Sequence, residues 1–137
     1  MTEQDLLAEL NEARAAGFTG YCGARIERAH DGFCRVSCRI QARHLNPHGM
    51  AHGGAVFTLM DTAAGVAGTT TGGEIRKVVT QCADVHFLRP VKPGSLHAEG
   101  TVIKSGRQTA LVTVNALDDD GVLHAYGTFE IFYIDRT

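Results

Sequence analysis

The sequence predicts an α+β architecture in which an antiparallel sheet curls round one long apolar helix. Three observations predict it. Residues 53 to 73, GGAVFTLMDTAAGVAGTTTGG, are small and apolar nearly all round, with Asp61 alone able to ionise; a helix of that kind must be covered on most sides. Two extended runs flank Asp31-Gly32, a hairpin signal. Four further extended runs follow the apolar segment, the last three joined by SGR and DDDG, connections short enough for antiparallel neighbours.

Taken in order, Thr2 and Asp5 form a capping box with Asp in place of Glu. Leu6, Leu10 and Ala13 then share a helical face with Leu7 beside it, and Gly17 supplies a stop, so the spacing predicts a helix over about 3–16. In the hairpin ARIERAH-DG-FCRVSCRI, Cys34, Val36, Cys38 and Ile40 share one face and Arg35, Ser37 and Arg39 the other, the alternation of a half-buried strand. Pro47, Gly49, Gly53 and Gly54 make residues 44 to 53 an irregular loop leading into a central helix over about 53–71. The runs KVVTQCADVHFL, ending at Pro90, SLHAEGTVIK, QTALVTVNAL and VLHAYGTFEIFYI complete a sheet of five to six strands. Its outer face and edges invite self-association.

The 137 residues fit one domain, expected over 1–137. Net charge is −2 with acids and bases interspersed, which gives no electrostatic case for nucleic acid or an anionic membrane. The start, MTEQDLLAEL, is acidic and amphipathic, so no signal peptide is expected. Residues 53 to 73 are long enough to span a bilayer, but their Gly and Thr content and the central Asp61 argue against it. Cys22, Cys34, Cys38 and Cys82 show no paired spacing and read as reduced core thiols of a cytoplasmic protein.

The chemistry concentrates between residues 44 and 61. Free N–H groups at the start of the central helix, on glycines that let a ligand approach, make an oxyanion hole; equally, those glycines let the loop turn. Asp61 lies eight residues beyond Gly53, roughly 12 Å along a helix axis. The two cannot serve one carbonyl within a single chain. If both are catalytic, two antiparallel central helices about a two-fold axis must bring each Asp61 to its partner's helix start. The bland alternative is a buried acid satisfied by Thr58, Thr62 or backbone. His44, His48 and His52 step by four like a metal ladder, but that needs a helix, and Pro47 with Gly49 argues against one, so no metal is expected. There is no G-x-S-x-G for a serine hydrolase.

The run N-x-x-G-x-x-H-G-G-x-x-x-x-L-x-D, here Asn46, Gly49, His52, Gly53, Gly54, Leu59 and Asp61, with HFLRP at residues 86 to 90 and the later SGR turn, resembles the hotdog-fold thioesterases, closest to the PaaI-like family of phenylacetate breakdown. The resemblance spans the chain from about residue 20 onward. It implies a hotdog fold, in homodimers commonly paired into homotetramers, that hydrolyses acyl-CoA thioesters with no metal and no cofactor beyond the coenzyme A of the substrate. Gly53 matches the family's backbone oxyanion donor, and Asp61 its nucleophile or general base, contributed from the opposite subunit. Asn46 and His52 match polar groups near the thioester carbonyl and attacking water. Thr80, with Gln81 beside it, falls where the family places a hydroxyl that holds the water, and Gly54 adjoins the oxyanion donor as a substrate contact. Coenzyme A phosphates want basic groups, for which Arg89, Lys92, Lys104 and Arg107 are candidates as well as ordinary surface charges. Phe57, Met60 and Phe87 are either acyl-pocket wall or core. The expected reaction is hydrolysis of a small acyl-CoA, phenylacetyl-type esters among the candidates. The alternatives are a hotdog dehydratase, for which HLNPHG lacks the acid of a His–acid pair, and a non-catalytic acyl-CoA binder.

Overall fold

The computed structural model describes residues 1–135, so the last two residues of the expected domain lie outside it. Helix α1 spans Glu3–Ala15, with the capping box closed in both directions between Thr2 and Asp5. Its buried face differs from the expected one by a position. Leu10 is buried and Leu6 and Leu7 pack against the core, but Ala13 is exposed. Asn11 takes the place beside Leu10, donating to the Ile26 carbonyl at 3.0 Å and accepting from the Ile26 N–H at 2.9 Å. A polar side chain that completes a strand's hydrogen bonding thus outcompetes a methyl group. After Gly17 comes a short helix α2, Phe18–Tyr21, which is too short to leave a periodicity.

Strands β1 (Arg25–His30) and β2 (Phe33–Ile40) form the expected hairpin, and the turn residues Asp31 and Gly32 have φ of 35° and 80°, the positive pair that an Asp-Gly turn accommodates. Cys34, Val36, Cys38 and Ile40 face inward as the alternation required. A 3₁₀ turn at Ala42–His44 opens the loop to helix α3, Gly53–Thr69. This helix ends two residues before the expected limit, because Thr71–Gly73 tighten into a 3₁₀ turn with Gly72 at φ 79°. Four strands follow: β3 (Val78–Phe87), β4 (Gly94–Ser105), β5 (Thr109–Asp118) and β6 (Leu123–Tyr133).

The six strands make one antiparallel sheet in the order β1-β2-β4-β5-β6-β3, wrapped round α3, as the resemblance implied. The core lies between the inner sheet face and α3, built on Val36, Ile40, Leu59, Met60, Ala63, Ala67, Leu96, Val112, Val114, Phe129 and Ile131. The helix lies tight on β4 because Gly100 has no side chain: a Cβ there would stand 2.9 Å from the Ala63 carbonyl oxygen. Among the described residues no helix is long and apolar enough to cross a membrane.

Not all of α3 is covered. Gly54 is exposed, and Phe57, Thr58, Asp61, Thr62 and Gly65 are half-buried along the same face. Beside this face lies the edge strand β3, where Val78 and Val85 alone are half-buried and every other residue is exposed. The cysteines divide accordingly. Cys34 and Cys38 are buried as expected, Cys22 is half-buried, and Cys82, on β3, is exposed rather than core. Burial pushes the Cys34 thiol up to about 12.

Candidate functional site

The loop before α3 is organised by one side chain. Asn46 Oδ1 accepts from the backbone N–H of His48 at 2.9 Å and of Met50 at 3.2 Å. The Asn46 N–H donates to the Met50 carbonyl, and Leu45 bridges to Ala51 as an isolated antiparallel pair. Pro47 and Gly49, the latter at φ 79°, turn the chain between them. Asn46 is thus the loop organiser. The three histidines diverge. His44 is buried, its Nδ1 accepting from the Gln41 N–H and its Nε2 lying 2.7 Å from the Cys22 carbonyl oxygen, while His48 and His52 are exposed.

His52 is the N-cap of α3, and its Nδ1 accepts from the Gly54 N–H at 2.8 Å. An imidazole nitrogen used as an acceptor leaves the neutral ring's proton on Nε2. The Gly54 N–H is therefore taken, whereas the Gly53 N–H, first of the helix, has no partner among the described residues. One of the two glycines keeps a free donor at the positive end of the helix dipole.

Gly53 opens into a cavity of about 420 Å³ whose lining includes Asn46, His48, Val56, Phe87, Arg89, Pro90 and His124. Its far rim is the segment Phe87–Val91, which is pinned to the start of β6: the N–H groups of Leu88 and Arg89 both donate to the His124 carbonyl, and Arg89 Nη1 donates to the Leu123 carbonyl at 2.7 Å. The His124 ring lies between Pro90 and Asp118, with Nδ1 3.0 Å from the Pro90 carbonyl oxygen and Nε2 2.8 Å from Asp118 Oδ2. That hydrogen bond from His124 is the first cause holding the Asp118 carboxyl below its ordinary value. Sequence reading did not single out His124, because a histidine in an alternating strand carries no motif.

Asp61 lies elsewhere. Midway along the open face of α3, it accepts a 2.6 Å hydrogen bond from Thr80 Oγ1 on β3. Thr58 and Thr62, the local candidates for satisfying it, instead donate to the carbonyls of Gly54 and Thr58. The pair lines a second cavity, about 460 Å³, together with Thr62, Gly65, Val66, Val78 and Arg14. Arg14, from α1, is a second residue that no motif marked. Gln81 is exposed where the β3–β6 register slips between Thr80 and Cys82.

The remaining basic candidates divide between the ends of the sheet. Arg89 lines the Gly53 cavity, and Lys92 is exposed on the neighbouring loop. Lys104 and Arg107 are exposed at the opposite end of β4 and in the turn to β5. Of the acyl-pocket candidates, Met60 is fully buried core, Phe57 is half-buried against Phe129 with ring centroids 5.7 Å apart, and Phe87 is exposed toward Gly53. Among the described residues no His, Cys, Asp and Glu side chains gather into a metal-binding group.

In one chain, then, a free helix-start N–H and a hydroxyl-bonded carboxylate occupy separate cavities. Comparison with known proteins bears on what the two can do. A model of the thioesterase superfamily matches residues 48–125. The acyl-coenzyme A thioesterase PaaI of Escherichia coli is 33% identical over 97 residues, covering 70% of this chain and 67% of that one. The structure of the E. coli PaaI protein from the phenylacetic acid degradation operon superposes with a TM-score of 0.87 at 26% identity, covering 98% of this chain and 96% of that chain. A Streptococcus mutans protein, smu.793, whose structure is bound to acetyl CoA, superposes with a TM-score of 0.73 at 29% identity, covering 79% and 86% of the two chains.

Proposed function

The chain belongs to the thioesterase superfamily, and from that premise we propose that it hydrolyses acyl-CoA thioesters at a site completed by two copies of itself. One copy lends the Gly53 N–H and the other the Asp61–Thr80 pair. The observation that carries this reading is the placement of those two groups in different cavities of one chain, with the uncovered face of α3 between them. If each Gly53 meets its partner's Asp61 across antiparallel helices, the two-fold axis passes near Phe57, the midpoint of the interval. The neighbours on that face, Gly54, Thr58, Thr62 and Gly65, are small, as close helix approach requires. The exposed edge of β3 extends the same surface and is open to pairing with its own copy.

In this arrangement the Gly53 N–H donates to the thioester oxygen as negative charge develops there, a donor typically contributing about 2.7–4 kcal/mol. Asp61 of the other copy either takes a proton from water as it attacks or attacks the carbonyl itself to give an anhydride that water then cleaves. The Thr80 hydroxyl fixes the carboxylate's orientation. Asn46 lines the Gly53 cavity and His52 caps the helix beside it; their proposed task is to orient carbonyl or water. The leaving thiolate is a good leaving group, so one carboxylate suffices. Arg89 and Lys92 line the approach from one copy. Lys104 and Arg107, at the far end of the sheet, approach it from the other if the two-fold pairing holds, with coenzyme A phosphates as their ligands. A small acyl group, aromatic ones included, fits the volume beside Asp61.

A free-thiol assay over aryl and aliphatic acyl-CoA esters tests the proposal. Thiol release by the wild type that is lost in Asp61→Asn is the expected result. Full activity in Asp61→Asn removes Asp61 from the mechanism, and ligand binding without release across the panel makes the protein an acyl-CoA binder.

A further inference from the structure

The far rim of the Gly53 cavity depends on one histidine ring. The segment Phe87–Val91 carries the Phe87 ring, which a Cβ added at Gly53 would meet at 3.7 Å. It runs from β6 back to the loop before α3, where the Val91 carbonyl accepts from the Ala51 N–H at 2.8 Å. Its first half is fixed by main chain, through the Leu88 and Arg89 N–H groups on the His124 carbonyl. Pro90 brings no N–H, and among the described residues the single partner of its carbonyl is the His124 ring.

Both nitrogens of that ring face oxygens: Nδ1 lies 3.0 Å from the Pro90 carbonyl oxygen and Nε2 2.8 Å from Asp118 Oδ2. A carbonyl oxygen only accepts, and so does an ionised carboxylate. The His124 hydrogen bond and then the Val122 N–H hold the Asp118 carboxyl below its ordinary value, so it is ionised at neutral pH. A neutral imidazole has one N–H and one bare nitrogen, and here it sets a lone pair against one of the two oxygens. The doubly protonated ring satisfies both. At 11% exposure the side chain has little water to use instead. When the ring gives up a proton, the bond to the carboxylate is the stronger of the two; Nδ1 is then the nitrogen laid bare, and the tie to Pro90 is the one lost.

The other charged or titratable groups facing the ring across its two neighbouring cavities are Arg89 and Lys92, from the segment and the loop after it, and His48, from the loop before α3. None of them forms an ion pair with His124; Asp118 does. Arg89 is instead bonded to the Leu123 carbonyl.

We propose that His124 is a positioning residue for the Gly53 site, holding the segment Phe87–Val91 through Pro90 while its ring carries both protons and loosening it when the ring loses one. Its consequence for turnover rests on the hydrolase reading; the hold on the segment does not.

The test follows the ring nitrogens of His124 by histidine-selective NMR, the hold on the segment by hydrogen exchange of the Leu88 and Arg89 amides, and KM by thiol release. The pH is raised until the ring loses a proton, which histidines do ordinarily between about pH 5 and about pH 8. In the wild type both nitrogens are expected to be protonated at the start and Nε2 alone at the end. Across that step, protection of Leu88 and Arg89 relative to the Val114 amide of β5 is expected to fall. KM for acyl-CoA esters is expected to rise about fivefold, the effect of one neutral hydrogen bond, with kcat changing less. Asp118→Asn separates this role from plain structural support. Its amide donates to a bare Nε2, so a neutral ring keeps its proton on Nδ1 and still holds Pro90; protection and KM are expected to stay level over the same range. His124→Leu has no donor and is expected to show the weakened hold and the raised KM at every pH. A singly protonated ring at the start, or a wild-type segment whose protection and KM ignore the loss of the proton, overturns the proposal. So does an Asp118→Asn protein with the wild type's pH dependence. The NMR and exchange measurements on the wild type decide even if a variant fails to fold. Absence of thiol release from every ester sinks the hydrolase reading, while those two measurements still settle the hold on the segment.

Discussion

The two edges of the sheet invite comparison. At one edge, β2 alternates between core and solvent, β1 buries Ile26 and Ala29, and α1 is tied over them through Asn11 and through Glu3, which accepts from Arg28 and the Ala29 N–H. At the other, β3 is exposed on both faces and borders the one uncovered stripe of α3. Each edge strand pairs along its length with its inner neighbour through one register slip, between Ile26 and Arg28 in β1 and between Thr80 and Cys82 in β3. The difference is that the first edge is finished within the chain and the second is not. Asp61 and Thr80 belong to the unfinished side. Substitutions there are expected to affect turnover more than folding, and substitutions on the finished side the reverse.

The largest expected effect is that of Asp61→Asn, which removes the proposed base or nucleophile and is expected to lower kcat by about 10²–10⁴-fold, with a thermal midpoint close to the wild type's. A large fall in midpoint without loss of turnover breaks the comparison. In the closed core, Met60→Ala removes a fully buried side chain and is expected to cost about 2–5 kcal/mol of unfolding free energy, read by denaturant titration, with the fold rather than turnover chemistry bearing the loss. Thr80→Val deletes the one hydroxyl bonded to Asp61 and is expected to lower kcat about ten- to a hundredfold, the range for a hydrogen bond to a charged group, while Thr80→Ser keeps most of it. The smallest effect is at Asp118, whose carboxyl is held below its ordinary value by the His124 ring and then by the Val122 N–H. A lowered carboxyl contributes stability above its unfolded value and loses it as pH falls through the folded one. Asp118→Asn should therefore lower the thermal midpoint slightly at neutral pH, and the gap should close on acidification below the ordinary carboxylate range.

What the sequence made legible follows the same division. The capping box at Thr2 and Asp5, the Asp31-Gly32 turn and the inward row from Cys34 to Ile40 are local signals, and each is found where expected. The spacing of Gly53 and Asp61 along a helix was also legible, since helical rise is fixed. The uncovered stripe was not: Gly54, Thr58, Thr62 and Gly65 are small residues whose exposure depends on where a sheet ends. Cys82 looked like core because VVTQCADVHFL holds apolar residues on both faces of its strand, a pattern that edge and core strands share. The pairing of β3 with β6 rather than with β4, its neighbour in sequence, is a non-local choice that no turn signal encodes. Arg14 and His124 reach their cavities from elements remote in sequence, so no motif window contained them.

The proposed shared site can be tested by mixing two crippled variants. Gly53 is the first residue of α3, where proline is tolerated, and His52 before it has φ −59° and ψ 139°, a conformation that a following proline accepts. Gly53→Pro thus deletes the free N–H and keeps the helix, with kcat expected to fall about 10²–10³-fold. Refolded together in equal amounts, Gly53→Pro and Asp61→Asn form mixed pairs in which one of the two sites holds an intact Gly53 and an intact Asp61, so the mixture should recover about a quarter of wild-type thiol release. Activity no higher than that of the two variants measured separately, in a mixture shown to contain mixed pairs, would contradict the account.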